Sequence, residues 1–373
     1  MIQDITSKHI SCLLILGGLI AGEVKGQWAS PSLNPTLKIV NPAVIAWKTK
    51  STISLAAGYG NGYQGDYAYQ EKSTTVANFV LAGELRSGVN TGLQLYDQKE
   101  ENKISYDDGS SNDVNKHHLQ YRTGAASIGP LALGYTDTGK YTLDQQTSKI
   151  RSNTKSTTVL KGEAKNENSG ISIRLGGDQG KFFFSVFENK DIREYDFSEI
   201  QTLLSDSSQW SQVKATVPDV ETKKTGFGLG IIFGKEGGNR YKLEAFQMSN
   251  PEIKKSANFE STSSSGESQT STSELQFYSF SSYGFALEAD VKKYIFTIGG
   301  TFETEYDKGK ESNMNYGNTE SQRFNSYIYM PLFNPIHIGL YAGTFEKTQL
   351  YSNGARRKYE TLDEFGLIIS YQI

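Results

Sequence analysis

The chain contains 373 residues, of which 36% are hydrophobic and 12% aromatic, with 37 glycines, 8 prolines and one cysteine. A formal net charge of −3 gives no electrostatic reason to expect nucleic acid as a partner. No run of 18 apolar residues is present, so the sequence predicts no membrane-spanning helix. The low proline content argues against a disordered, proline-rich chain. The length allows two soluble domains or one large β domain.

The N-terminal segment has the features of a secretory signal peptide. Lys8 precedes an apolar stretch at 10–22 that is too short to span a bilayer, and small or neutral side chains precede Gln27. The alternative is a buried N-terminal helix. Cys12 lies at the start of this apolar stretch, whereas a lipidated cysteine follows it, so we expect no lipid anchor. We therefore predict removal of residues 1–26, which leaves a mature chain without cysteine.

Apolar residues alternate with period two along most of the remaining chain, as in half-buried strands. We identify fourteen candidate strands, and the register of 181–189 is ambiguous because that segment is apolar on both faces. The connections alternate strictly in length. Six are short, at 86–88, 129–130, 176–180, 234–239, 290–292 and 331–335, and seven are long, at 60–75, 98–116, 143–168, 190–220, 249–273, 304–321 and 347–361.

This alternation predicts an all-β fold, a transmembrane antiparallel up-and-down β-barrel with long extracellular loops and short periplasmic turns. Charged residues at the opposite parity to the apolar sets support it, because such charges fit a wet lumen. We expect six of them to face the lumen: Glu84, Arg122, Arg174, Lys224, Glu244 and Glu288. The alternative is a soluble two-sheet protein that carries these charges on its outer faces.

Two segments stand outside this pattern. Residues 261–273 are rich in serine and threonine and contain no apolar residue, so we expect a mobile loop. Within 198–210, Ile200, Leu203 and Leu204 have helical spacing and predict a short helix, with Trp210 nearby. These four side chains either form an apolar lip at the barrel mouth or only pack the loop.

The C-terminal strand and the segment before the first strand carry a family resemblance. Phe365, Leu367, Ile369, Tyr371 and Ile373 alternate up to the terminus, where a final Phe is usual in outer-membrane barrels. Asn41-Pro42-Ala43-Val44-Ile45-Ala46 precedes Ser54-Leu55-Ala56-Ala57-Gly58-Tyr59. Together with the strand count, this resembles the outer-membrane long-chain fatty-acid transporter family (FadL type).

The resemblance implies a fourteen-stranded barrel, a signal peptide and an N-terminal hatch that plugs the lumen. Only about 14 residues separate Gln27 from Asn41, so the hatch is shorter than in the family. We expect a short plug within 27–50, carried by Asn41, Pro42 and Ala43, and a barrel over 51–373.

The sequence offers little for catalysis. No nucleophile elbow, metal-spaced His/Cys cluster or phosphate-binding glycine loop is visible. His117-His118 adjoin a strand end, and the acidic Asp107-Asp108-Gly109 lacks the ligand order of a calcium loop. We therefore expect no enzyme activity, no cofactor and no metal.

These observations predict a channel in the outer membrane of a Gram-negative bacterium for passive uptake of small, hydrophobic solutes. The expected partners are outer-membrane lipid and lipopolysaccharide, the barrel-assembly machinery and a hydrophobic small-molecule ligand. The alternative function is a structural or surface-interaction barrel with a closed lumen and no transport role.

Overall fold

The structure is a computed structural model that describes residues 41–47, 51–65, 68–106, 111–137, 141–151, 153–177, 180–234, 238–251, 253–277, 279–291, 294–306, 318–350 and 355–373. The predicted signal peptide, the 27–40 part of the predicted plug segment and Asp107-Asp108-Gly109 lie outside the described residues. A 3₁₀ helix, Pro42–Trp47, precedes seventeen strands. They are β1 (Thr52–Gln64), β2 (Ala68–Arg86), β3 (Val89–Tyr106), β4 (Ser111–Ile128), β5 (Leu131–Asp137), β6 (Tyr141–Arg151), β7 (Thr154–Gly177), β8 (Gly180–Leu203), β9 (Trp210–Gly234), β10 (Arg240–Asn250), β11 (Ile253–Ser263), β12 (Ser268–Phe277), β13 (Ser279–Val291), β14 (Tyr294–Tyr306), β15 (Asn318–Phe333), β16 (Ile336–Leu350) and β17 (Arg356–Gln372).

The strands form one closed antiparallel barrel, because β1 pairs along its length with both β2 and β17. Three wall positions are each built from two consecutive strands. β5 and β6 both pair with β4 and β7, β10 and β11 both pair with β9, and β12 and β13 pair with β11 and β10. Pro251 separates β10 from β11, and a proline cannot donate to the ladder. The wall therefore has fourteen positions, as the apolar alternation predicted.

The outer face of the wall is a belt of exposed apolar side chains. Leu55 is 62% exposed and Phe365 60%, while their sequence neighbours Ser54 and Glu364 are 4% and 9% exposed. Exposed apolar side chains on one parity and buried polar ones on the other are the reverse of a soluble β domain. This is the pattern of a barrel that spans a membrane with its strands. No helix among the described residues is long and apolar enough to cross a bilayer.

Tight turns join the strands at the periplasmic end, as predicted. Gly88, Gly129, Gly176 and Gly234 lie at four of these turns with φ of 77°, 55°, 119° and 102°. Glycine adopts these left-handed conformations without the steric cost that a Cβ imposes. The sequence positions of the short-turn rim therefore follow directly from local chemistry.

The long segments at the outer end differ from the loops that were predicted. β7, β8 and β9 run for 24, 24 and 25 residues, far more than a membrane crossing needs. The short helix predicted within 198–210 is wrong, because 198–203 is the end of β8 and β9 begins at Trp210. The 261–273 segment likewise forms the tip of the β11–β12 hairpin. Pairing with a neighbouring strand overrides the local helical spacing in the first case.

The ambiguous register of 181–189 is settled by packing. Phe182, Phe184 and Val186 lie on the exposed parity, and Phe183 and Phe187 are buried in the bore. Periodicity alone cannot distinguish the two faces when both are apolar.

Candidate functional site

The 3₁₀ helix Pro42–Trp47 lies inside the barrel near its periplasmic end, and all six of its residues are buried. It packs against β3, β4, β5 and β7. Asn41 fixes its start: the Asn41 side-chain oxygen accepts a hydrogen bond from the Ala43 N–H at 3.0 Å, and its side-chain amide donates to the Ile171 carbonyl at 3.4 Å. Pro42 is the first helical residue, where a missing N–H costs nothing. We call residues 41–47 the plug.

Three glycines of the wall make room for the plug backbone. A Cβ at Gly92 would lie 2.5 Å from the Ile45 carbonyl oxygen. A Cβ at Gly134 would overlap the Pro42 carbonyl, and one at Gly170 would overlap the Asn41 side chain. Any larger residue at these three positions would push the plug away from the wall. The Asn-Pro-Ala segment is therefore seated by glycines on β3, β5 and β7.

Trp47 ends the helix against β7 and its neighbouring strand β8. Its ring lies 5.5 Å from the Phe183 ring, and the Arg174 guanidinium stacks over it at 5.1 Å. The buried indole N–H has no hydrogen-bond partner in the protein. A cation over an indole face is a favourable contact, so Arg174 holds Trp47 as well as lining the bore.

Two groups of charged side chains are buried in the bore. In the first, the Lys242 ammonium lies 2.6 Å from the Glu244 carboxylate and 3.6 Å from that of Glu288, and all three side chains are fully buried. Glu288 also accepts a hydrogen bond from the Thr297 hydroxyl at 3.4 Å. Buried charges are tolerated only when they are paired in this way.

The second group is centred on Glu364. Its carboxylate lies 3.4 Å from the Lys72 ammonium and 3.2 Å from the Arg323 guanidinium. Lys72 also contacts Glu100 at 2.6 Å. We call Lys72, Glu100, Arg323 and Glu364 the Glu364 network. It is neutral overall, with two positive and two negative side chains.

The six side chains predicted to face the lumen divide into three sets. Lys224, Glu244 and Glu288 are buried in the bore, and Arg174 lies half-buried beside the plug. Glu84 shares their parity but sits at the periplasmic rim, where it is exposed and accepts a hydrogen bond from the Gly88 N–H at 3.0 Å. A part in transport stays a prediction for these residues.

The inward orientation predicted for Arg122 is wrong. Tyr121 and Thr123 take the inner positions on β4, and Arg122 is exposed beside its outward-facing partner Leu95. The Tyr121 ring stacks on Tyr96 at 4.6 Å inside the bore. The inner face of β4 is itself apolar, so its alternation has the appearance of a lipid-facing set.

Sequence reasoning missed Lys72, Arg323 and Glu364. Lys72 and Arg323 fall in or beside segments interpreted as loops, where no parity was assigned. Glu364 sits between Asp363 and the lipid-facing Phe365 in β17, so the alternation in that strand was a usable signal. The alternation along β10 also places Lys242 at the inward parity, but its contact with both carboxylates depends on the register of β10 and β13.

The outer part of the barrel has a different interior. Leu143, Leu160, Tyr195, Phe197, Ala215, Val217, Val220, Ala257 and Phe259 form one buried apolar cluster, which we call the outer core. It is built by β6, β7, β8, β9 and β11 beyond the lipid-facing belt. On β7, for example, Leu160 shares the inner parity of Ser172 but lies further toward the outer end. An apolar interior therefore sits above a charged one.

The predicted apolar lip lies at the tip of the β8–β9 hairpin. Ile200 is exposed on the outer face of β8 and Leu203 has the opposite parity, so the two do not share a surface. Leu204 and Trp210 are exposed, at 52% and 39%. The Leu204 N–H donates to the Asn153 carbonyl at 2.8 Å, which ties this tip to the β6–β7 hairpin.

One further depression, of about 430 Å³, is polar. It is lined by residues such as Lys99, Lys116, His118 and Asp144, from β3, β4 and β6. Its charged lining does not suit a hydrophobic solute. Within the described ranges, no three or more His, Cys, Asp or Glu side chains are grouped to hold a metal ion.

The closed antiparallel sheet and its belt of exposed apolar side chains define a fourteen-stranded transmembrane β-barrel. No protein-family model and no curated protein matches the chain in sequence. Solved structures do match in fold. The Pseudomonas putida toluene transporter TodX has a TM-score of 0.54 at 9% identity, over 89% of this chain and 91% of that chain.

Two other structures give the same result. The Ralstonia pickettii toluene transporter TbuX has a TM-score of 0.56 at 10% identity, over 89% of this chain and 91% of that chain. A Pseudomonas aeruginosa FadL homologue has a TM-score of 0.51 at 10% identity, over 89% and 92%. At these identities the likeness concerns the fold, and the fold is that of the FadL, TodX and TbuX channel structures.

Proposed function

We propose that this protein is an outer-membrane channel for small hydrophobic solutes. The observation that carries the proposal is the outer core, an apolar cluster inside the extracellular part of the barrel. A solute that leaves water gains about 25 cal/mol for each Å² of apolar surface that it buries, and the side chains of the outer core are of the kind that provides such surface. The toluene transporters and the FadL homologue that share the fold support the same class of solute.

The tip residues Leu204 and Trp210 supply a first apolar contact above the outer core. The length of the β8–β9 hairpin separates them from the charged bore. Their role is therefore in the capture of a solute at the outer end and not in its passage through the bore. Arg174 and the plug stand at the opposite end, where a solute would leave toward the periplasm.

A structural barrel with a closed lumen is the second candidate. The buried Lys242 group, the Glu364 network and the seated plug favour it, since together they fill the bore with paired side chains. On this view the outer core only stabilises the long hairpins.

Uptake of a fluorescent apolar solute into proteoliposomes separates the two candidates. The test variant is Val217→Asp, which places a charge in the outer core. It should lower uptake if the protein is a channel, whereas a structural barrel has no uptake to lose. The matched control is Thr216→Asp, the exposed neighbour on the same strand. Barrel assembly is checked by heat-modifiable migration. If vesicles that contain the unmodified protein take up no more solute than empty vesicles, the channel proposal is contradicted.

The tip is tested separately with Leu204→Ser combined with Trp210→Ser. Uptake at low solute concentration should fall, while the maximal rate at saturation stays unchanged, because capture precedes passage. Equal uptake by the variant and the unmodified barrel at every concentration would remove the capture role and leave the outer core as the site.

A further inference from the structure

The first strand of the barrel carries three glycines on its inner face. Gly58, Gly60 and Gly62 alternate along β1, which closes the barrel by pairing with the last strand, β17. In the register of this seam, Gly58 faces Gly366, Gly60 faces Glu364 and Gly62 faces Leu362. On the other side, Gly60 faces Lys72 of β2 and Gly62 faces Gln70.

Side chains from the neighbouring strands meet across these glycines. Lys72 of β2 reaches Glu364 of β17 at 3.4 Å, directly over Gly60. The Gln70 side-chain amide donates to the Glu360 carboxylate of β17 at 3.1 Å, past Gly62. At the third level, the Tyr341 ring of β16 occupies the space that side chains would take at Gly58 and Gly366.

The Lys72–Glu364 contact requires that no side chain projects from β1 at Gly60. A Cβ at Gly60 would lie 2.9 Å from the Glu364 Cγ and 2.9 Å from the Asp363 carbonyl oxygen, closer than real Cβ atoms approach other heavy atoms, so an alanine there would displace both the Glu364 side chain and the β17 backbone beside it. Glu364 faces a second glycine, Gly343 of β16, on its other side, and Arg323 of β15 reaches it from beyond that strand. Glu364 thus sits between two glycines and is contacted across both.

These bridges change what is required to open the seam. Elsewhere in the wall, a buried ion pair such as Lys242–Glu288 joins two strands that already share a ladder, β10 and β13. At the seam, β2 is also bound to β17 through a buried ion pair, so β1 cannot leave β17 without the separation of Lys72 from Glu364 in a water-poor interior. The network extends this link to β3 through Glu100 and to β15 through Arg323.

We propose that the Glu364 network is a latch on the closing seam of the barrel, and that the glycines of β1 are the openings through which the latch forms. Gly60 is a positioning residue for the Lys72–Glu364 contact. The latch joins the first strands of the chain to the last, so it forms only when the barrel closes. It is independent of what the barrel transports.

The molecule contains its own reference for a buried ion pair away from the seam. Lys242 and Glu288 face each other on the adjacent strands β10 and β13, and both are as deeply buried as the seam pair. Loss of that pair should loosen its own part of the wall and leave β1 and β17 protected.

Amide hydrogen exchange of the refolded barrel in detergent tests the latch. Gly60→Ala should speed exchange in β1 and β17 by about tenfold or more, while β9 and β10 keep their rates. The matched control is Gly83→Ala on the adjacent strand, since a Cβ there meets nothing within 4 Å. Glu364→Gln should also speed exchange in β1 and β17, whereas Glu288→Gln should speed exchange in β10 and β13.

A covalent link across the seam provides a rescue. Asn61 and Asp363 face each other on the exposed side of β1 and β17, so Asn61→Cys with Asp363→Cys, in a Cys12→Ser background, can join the two strands. This disulfide should restore slow exchange to Gly60→Ala. Equal acceleration in all strands, equal rates for Gly60→Ala and Gly83→Ala, or failure of the disulfide to rescue would each overturn the proposal.

Discussion

The bore at membrane level and the outer core lie inside the same wall but are stabilised in opposite ways. In the bore, charged and amide side chains are buried because they are paired, as in Lys242 with Glu244 and Glu288. In the outer core, Leu160, Phe197 and Phe259 exclude water as in a soluble domain. The lipid-facing belt makes the difference possible: apolar residues at membrane level are placed outside, and those in the extracellular hairpins are free to turn inward.

The two regions therefore respond to different kinds of substitution. A charged interior is sensitive to the loss of one partner, because the remaining charge stays buried. An apolar interior is sensitive to lost volume. The position of the plug depends on a third feature, the space that three wall glycines leave for it.

The largest effect should follow from removal of the cation that Glu244 and Glu288 share in the bore. Lys242→Met leaves Glu244 and Glu288 buried without their shared cation and should lower the free energy of unfolding by ~3–5 kcal/mol. Urea unfolding in detergent micelles measures it. Lys223→Met, at an exposed lysine one strand away, is the control and should stay within ~0.5 kcal/mol. Similar losses for the two variants would contradict the assignment of Lys242 as a buried partner.

A truncation in the outer core should act more locally. Leu160→Ala removes a side chain that is 2% exposed and should destabilise by ~2–5 kcal/mol, through lost burial and a residual cavity. Hydrogen exchange should rise in β7, β8 and β9 beyond the belt while the plug remains protected. Leu204→Ala at the exposed tip serves as the control. Loss of protection at the plug would show that the outer core and the plug are coupled, and would contradict their independence.

Displacement of the plug should change permeability more than stability. Gly134→Ala places a methyl group where the Pro42 carbonyl lies and should destabilise by ~1–3 kcal/mol through overpacking. Single-channel recording in planar bilayers should show ion-conducting openings that the unmodified barrel lacks. Gly124→Ala on β4, where a Cβ meets nothing within 4 Å, is the control. Silent recordings from Gly134→Ala would show that the ion groups alone close the bore.

The smallest effect is a pH dependence at the β8–β9 tip. The Asp206 carboxylate accepts hydrogen bonds from the Ser208 N–H at 3.1 Å and the Ser208 hydroxyl at 2.6 Å, which hold its pKa below the ordinary value of 3.8. A lowered pKa means that this stabilisation is present above pH 3.8 and is lost as the pH falls through the pKa of the folded state. Asp206→Asn should therefore speed amide exchange of Ser208 at pH 6 but make no difference in strong acid. The same ratio of rates at both pH values would contradict a role for the ionised carboxylate.

The sequence alone determined the strands, the short-turn rim and most of the lipid face. Period-two alternation and glycine-rich turns are local signals, and Phe365 or Leu229 can be assigned from a few neighbours. The Asn-Pro-Ala segment also pointed to the plug, although the glycines that seat it are far away in the chain. Gly134 and Gly170 carry no local sign of the helix that they accommodate.

Tertiary structure decided what alternation leaves open. Arg122 faces outward because Tyr121 stacks on Tyr96 inside, and two apolar faces cannot be told apart by period alone. The 198–203 segment is a strand because β9 pairs with it, which outweighs a weak helical preference. Lys72 and Glu364 lie nearly 300 residues apart, and only closure of β1 on β17 brings them together. Faces and turns are local properties of a chain, whereas partners across a barrel depend on register and closure.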